Sequence, residues 1–123
     1  MYELRVVSFF SGAHFLRGYK GKCESLHGHN WKVELFVKNK YLNDTGLVID
    51  FKELKTMLSS ILDKLDHKNL NNVRFFKKKN PSSENIARFI YSELAPLVEK
   101  KKSKLLRVTV WEQRDSAASY FEE

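Results

Sequence analysis

Four residues with the means to do chemistry, three histidines and a cysteine, crowd the first quarter of this 123-residue chain. In "CESLHGHNW", His27 and His29 flank Gly28, and Cys23 stands four positions before the first of them. On a strand, positions two apart project to the same side, so both imidazoles can converge on one ion while Gly28 leaves room between them. His14 follows the first alternating segment and comes within reach if the first two strands pair. Three neutral imidazoles with an open position form a catalytic zinc arrangement, whereas Cys23 in the fourth place would close a structural one; spacing alone leaves both open. A thiolate near a metal and Lys22 would have a lowered pKa, and the plain alternative is a small buried hydrophobe.

Further along, "LDHKN" sets Asp66 beside His67 just after a helical pattern. The carboxylate can orient the imidazole and stabilise it as it gains a proton, and a histidine near a helix C-terminus is also favourable to the dipole. Glu112 shares the parity of Leu106, Val108 and Val110, which puts a carboxylate at the end of a buried face. There it requires a partner, either a ligand's donors or Arg107 or Arg114. Ser82, Ser83 and Glu84 read as a helix N-terminus, with hydroxyls to cap it and an acid to complement the dipole.

The elements that must position these residues follow from periodicity. "YELRVVSFF" and "NWKVELFVKN" alternate as half-buried strands, with Trp31, Val33, Leu35 and Val37 on one face. From Phe51 the period lengthens to a helical stripe of Phe51, Leu54, Leu58, Ile61, Leu62 and Leu65, with Asp50 as N-cap and Glu53 three residues on. A second helix carries Ile86, Phe89, Ile90 and Leu94, and Pro96 is expected to kink or end it. "KLLRVTVWEQ" is a further strand and "AASYFEE" its hairpin partner. The order predicts an α+β domain over 1–123: a four-stranded antiparallel sheet with both helices on one face. The uncovered face and open edges predict a homo-oligomer.

The formal charge is +7, with much of the excess in "FFKKKN" and "EKKKSK" beside helix ends. These runs fit a solvated surface or a polyphosphorylated small molecule better than a nucleic-acid-binding module, because the aromatics fall on apolar faces rather than among the lysines. Arg17, Lys20 and Lys22 are candidate phosphate contacts. A single cysteine fits a reducing compartment, and no apolar run is long enough for a membrane span. With an N-terminus unlike a signal peptide, the expected location is cytoplasmic.

Taken together, "FSGAHFL", "CESLHGHNW", "LDHKNLN", "PSSENIA" and the terminal "VWE" resemble the 6-pyruvoyl-tetrahydropterin synthase and 6-carboxy-tetrahydropterin synthase family over essentially the whole chain. The short Cys-x-x-x-His-Gly-His interval looks like the carboxy-tetrahydropterin branch of queuosine biosynthesis. The resemblance implies a tunnelling fold in which the sheets of three subunits close into a barrel and two trimers stack. It implies Zn²⁺ on His14, His27 and His29, a site at subunit boundaries, and 7,8-dihydroneopterin triphosphate as substrate. It assigns Cys23, Asp66 and His67 to catalysis and Glu112 to anchoring the pterin, with Ser82, Ser83 and Glu84 as further contacts. In a side branch a glutamate near the position of Glu24 directs cleavage to 6-hydroxymethyl-dihydropterin.

Overall fold

The computed structural model describes residues 1–21 and 25–123; Lys22, Cys23 and Glu24 lie outside the described residues. Strands β1 (Tyr2–His14) and β2 (His27–Asn39) pair antiparallel along their whole length, from Tyr2 opposite Asn39 to His14 opposite His27. Alternation then divides the residues between two faces. Val6 and Phe10 on β1 and Trp31, Val33, Leu35 and Val37 on β2 are all buried in one cluster beneath the helices.

Helix α1 (Phe51–Leu62) begins at Asp50, whose carboxylate accepts the Lys52 N–H at 2.9 Å. Glu53 pairs with Lys101 at 2.7 Å. Leu54, Leu58, Ile61, Leu62 and the following Leu65 are buried as the stripe requires, but Phe51 remains 51% exposed. Helical side chains lean toward the N-terminus, so a residue in the first turn overhangs the packed part of the helix. Helix α2 (Ser83–Lys100) starts at Ser82, which accepts the Asn85 N–H at 3.2 Å. It does not end at Pro96. The proline faces solvent, where the unbonded carbonyl one turn back can reach water, while Leu94 and Val98 on either side anchor the helix in the core.

The sheet has five strands rather than four, in the order β3-β1-β2-β4-β5. The addition is β3, only Lys68–Asn69, which runs parallel to Gly12 and Ala13; two residues carry no periodicity from which to infer it. β4 (Lys104–Gln113) and β5 (Ser116–Tyr120) form the expected hairpin. A bulge opposite Phe36 and Val37 shifts β4, so Leu105 takes the core position that simple alternation gives to Leu106.

Both helices contribute to one core on one face of the sheet. The other face carries no helix. There Glu34 is held between Arg5 and Trp111, and the Arg107 guanidinium lies 3.8 Å over the Phe36 ring. Phe9, on the same side by register, is 65% exposed. Lys77 to Lys79 and Lys100 to Lys102 are exposed, as solvated runs should be. Among the described residues no helix is long and apolar enough to cross a membrane.

Candidate metal centre

The last pair of the β1–β2 ladder is His14 opposite His27, and His29 stands opposite Gly12. The three rings therefore meet at the end of the buried face, with centroids 4.6 to 5.2 Å apart. Trp31 closes the inner side, edge-on to His14 and His29, and its indole N–H is fixed on the Gly12 carbonyl at 3.1 Å. Gly12 is closely packed: a Cβ there would lie 3.2 Å from the Phe10 ring and 3.4 Å from Leu70, so those side chains would have to give way by a few tenths of an ångström.

The tautomers follow from the partners. His14 Nδ1 lies 2.7 Å from the Pro81 carbonyl, and His27 Nδ1 lies 2.7 Å from the Ser25 carbonyl. A carbonyl oxygen only accepts, so each Nδ1 carries the proton and each Nε2 presents a lone pair. Those two Nε2 atoms stand 3.1 Å apart. His29 Nε2 is buried without a hydrogen bond; Glu112 Oε1 is 3.1 Å away but not aligned for one. Burial pushes the pKa of His14 and of His29 below the ordinary histidine value, and the attraction of Glu112 does not reverse this. His14 and His29 are thus favoured in the neutral form that a metal ligand requires.

Glu112 completes the cluster. Its Oε1 is 3.2 Å from His14 Nε2, and one donor atom from each of His14, His27, His29 and Glu112 lies within 4.8 Å of the others. Alternation from Val108 and Val110 carries it to that face, and a bulge at the end of β4, where Trp111 faces Ala117 and Gln113 faces Ser116, leaves Glu112 without a cross-strand partner on β5. Arg107, above Phe36, is elsewhere. Three nitrogen donors and one oxygen donor are a set that suits zinc.

Asp66 and His67 sit on the far side of β1. The Asp66 carboxylate accepts the Ser11 N–H at 2.9 Å through one oxygen and faces His67 Nδ1 at 3.0 Å through the other. The Ser11 amide, more than His67, holds its pKa below the usual carboxylate range. His67 has φ of 57°, and its own N–H bonds the Ser11 carbonyl at 2.6 Å. This left-handed turn, rather than the helix terminus, sets where the side chain leaves the backbone; the imidazole itself is 81% exposed, with Asp66 as its partner. His67 and His29 line one cavity of about 480 Å³, together with Ser11, Asn30, Lys68 and Asn69.

Ser82, Ser83 and Glu84 form the start of α2, and the preceding residue supplies the carbonyl that anchors His14. The Ser82 hydroxyl is engaged as the cap. Arg17 is occupied as well, donating to the carbonyls of Phe76 at 2.7 Å and Asn71 at 3.4 Å. Lys20 is exposed. Cys23, Lys22 and Glu24 fall outside the described residues. The Pro81 carbonyl and the Ser11 backbone escaped the sequence reading because backbone groups leave no mark in residue type, and the Asn71 side chain because its partner lies more than fifty positions away.

This is a two-layer α+β domain in which three imidazoles from the two longest strands and a carboxylate from β4 converge at a sheet terminus, a group that could hold a metal ion. The chain belongs to the 6-pyruvoyl tetrahydropterin synthase family, whose model matches residues 3–123. It is 40% identical over 113 residues to a putative 6-carboxy-5,6,7,8-tetrahydropterin synthase of Archaeoglobus fulgidus, covering 92% of this chain and 90% of that one. It is 36% identical over 102 residues to the 6-pyruvoyl tetrahydrobiopterin synthase of Dictyostelium discoideum, covering 81% and 73%. The structure of the Caenorhabditis elegans 6-pyruvoyl tetrahydropterin synthase superposes with a TM-score of 0.89 at 30% identity, over 99% of this chain and 96% of that one.

Proposed function

We propose that this chain is a zinc-dependent 6-carboxy-5,6,7,8-tetrahydropterin synthase, converting 7,8-dihydroneopterin triphosphate to 6-carboxytetrahydropterin with release of acetaldehyde and triphosphate, in queuosine biosynthesis. The observation that carries the reading is the convergence of His14, His27 and His29, two of them with Nδ1 held on carbonyls so that Nε2 lone pairs face one point. Bound there, Zn²⁺ supplies Lewis acidity toward the substrate's side-chain hydroxyls and so acidifies the neighbouring C–H.

The chain's own groups do the rest. Glu112 accepts the 2-amino and ring N–H donors of the pterin and fixes which carbon of the side chain meets the base. Cys23 takes the proton. Asp66 orients His67, which gains and returns a proton at the cavity it lines with His29. Ser82, Ser83 and Glu84 border the pterin. The choice of the carboxy branch rests on the Cys-x-x-x-His-Gly-His interval and on the name of the Archaeoglobus relative. The enzyme acts in the cytoplasm as a trimer-based oligomer, a hexamer, whose sheets close into a barrel over the face that lacks helices. Light scattering on the purified protein tests the assembly.

The activity is tested by incubating zinc-loaded protein with 7,8-dihydroneopterin triphosphate and identifying products by mass spectrometry. Carboxytetrahydropterin with acetaldehyde is expected. The name of the Dictyostelium relative supports a second reading, in which 6-pyruvoyl-tetrahydropterin is the main product. A 6-hydroxymethyl-dihydropterin product lost in Glu24→Ala would instead place the chain in the folate branch.

A further inference from the structure

We propose that Asn71 is a positioning residue of the metal centre, acting as a surrogate strand that locks the main chain next to His14; the inference rests on reading the three histidines as metal ligands. The β1–β2 ladder stops at His14 opposite His27, and among the described residues the chain beyond it has no strand partner. The Asn71 carboxamide supplies one. Its Oδ1 accepts the Phe15 N–H at 2.9 Å and its Nδ2 donates to the Phe15 carbonyl at 3.0 Å, the paired exchange that an antiparallel neighbour would make. Asn80 repeats this two residues on, accepting the Arg17 N–H at 2.9 Å and donating to the Arg17 carbonyl at 3.0 Å. Alternate residues are bonded, as in a ladder.

The consequence falls on one ligand. The Phe15 N–H belongs to the peptide group that leaves His14, so Asn71 fixes the backbone from which that side chain springs. The Pro81 carbonyl fixes the far end of the same side chain through Nδ1 at 2.7 Å. With both ends held, His14 Nε2 has little freedom to turn away from the common point. Asn71 is only 5% exposed and its own N–H is held by Asn69 Oδ1 at 3.1 Å, so the clamp is itself rigid. Groups bonded directly to a ligand ring, as Pro81 is, orient it and are worth about 10–100-fold in metal affinity; Asn71 acts on the same ligand through its backbone, and an effect in that range is the measure of the proposal.

Asn71→Asp tests the claim. The carboxylate keeps the size and the acceptor for Phe15 N–H but faces the Phe15 carbonyl without a donor. Cobalt(II) serves as probe, with its dissociation constant read by chelator competition and its coordination by the visible absorption bands. The expected result is an affinity weakened about 10–100-fold with shifted bands. Val98→Ala, roughly 24 Å along α2 from its Ser82 end at 1.5 Å per residue, is the control that lowers stability while leaving both readouts unchanged. An Asn71→Asp protein with wild-type affinity and bands overturns the proposal, as does a loss no greater than that of Val98→Ala at equal loss of Tm. If Asn71→Asp does not fold, the half-buried Asn80→Asp takes its place. A smaller weakening is then expected, and none overturns the proposal. A wild type that takes up no cobalt defeats the metal reading itself, and this inference with it.

Discussion

His14 and His27 face each other through Nε2 atoms 3.1 Å apart, and neither ring has a proton there to share. Two lone pairs at that distance repel, so the arrangement is favourable only with a positive centre near both. Removing His27 should therefore do more than delete one contact. We expect His27→Ala to lose stoichiometric zinc by elemental analysis, where the wild type binds one ion per chain. Zinc at a hundred times its dissociation constant should stabilise the wild type by about 2.7 kcal/mol and raise its Tm, an effect absent from the variant. Undiminished zinc in His27→Ala would remove that residue from the site.

Asp66→Asn separates orientation from structure. The amide can still accept the Ser11 N–H, but turned that way it presents NH₂ to His67 Nδ1 and favours the wrong tautomer. Turnover should fall by about 10²-fold or more with zinc content and pterin affinity unchanged. Wild-type kcat in this variant would take the pair out of the reaction.

Much of this site was legible in the sequence because its parts sit on regular strands. The parity of His27, His29 and Trp31 follows from alternation alone, and so does that of Glu112 with Val108 and Val110. What alternation could not show were its interruptions. The bulge that brings Leu105 inward and the one that frees Glu112 each insert a residue, and neither contains a glycine to mark it. Strand β3 is too short for a period, and Pro96 is tolerated because of which side it faces, a property of packing. Fixing of His14 by Pro81 and Asn71 joins positions more than fifty residues apart. No local pattern encodes it.

Glu34 gives a pH dependence away from the metal. It is 5% exposed on the face without helices, and burial alone would raise its pKa. Hydrogen bonds from Trp111 and Arg5 outweigh burial and hold it below its ordinary 4.5. A carboxylate depressed in the folded state contributes stability that is fully present above its unfolded value and is lost as pH falls through the folded one. Glu34→Gln should therefore be destabilised by about 1–3 kcal/mol at neutral pH, and the gap from wild type should close on acidification below about 4.5. Thermal melts across that range measure it. A gap independent of pH would mean that charge at Glu34 contributes nothing.

Glu112 has two possible partners, and one substitution tells them apart. Its Oε1 lies 3.2 Å from His14 Nε2 and 3.1 Å from His29 Nε2, close enough to serve as a fourth ligand or to stand beside the ion and hold the pterin. Catalysis favours the second, because three histidines leave a coordination position for substrate oxygen and a closed site does not. Glu112→Gln keeps the shape but cannot accept from both pterin donors. Each hydrogen bond to a charged acceptor is worth about 1.5–3 kcal/mol, so the pterin dissociation constant should rise roughly tenfold to a hundredfold. Cobalt affinity and visible bands should stay as in the wild type, since the three nitrogens remain. The opposite outcome, weakened cobalt with unchanged pterin binding, would make Glu112 the fourth ligand. The pterin would then need another acceptor, and Glu84 at the start of α2 would be the first carboxylate to test.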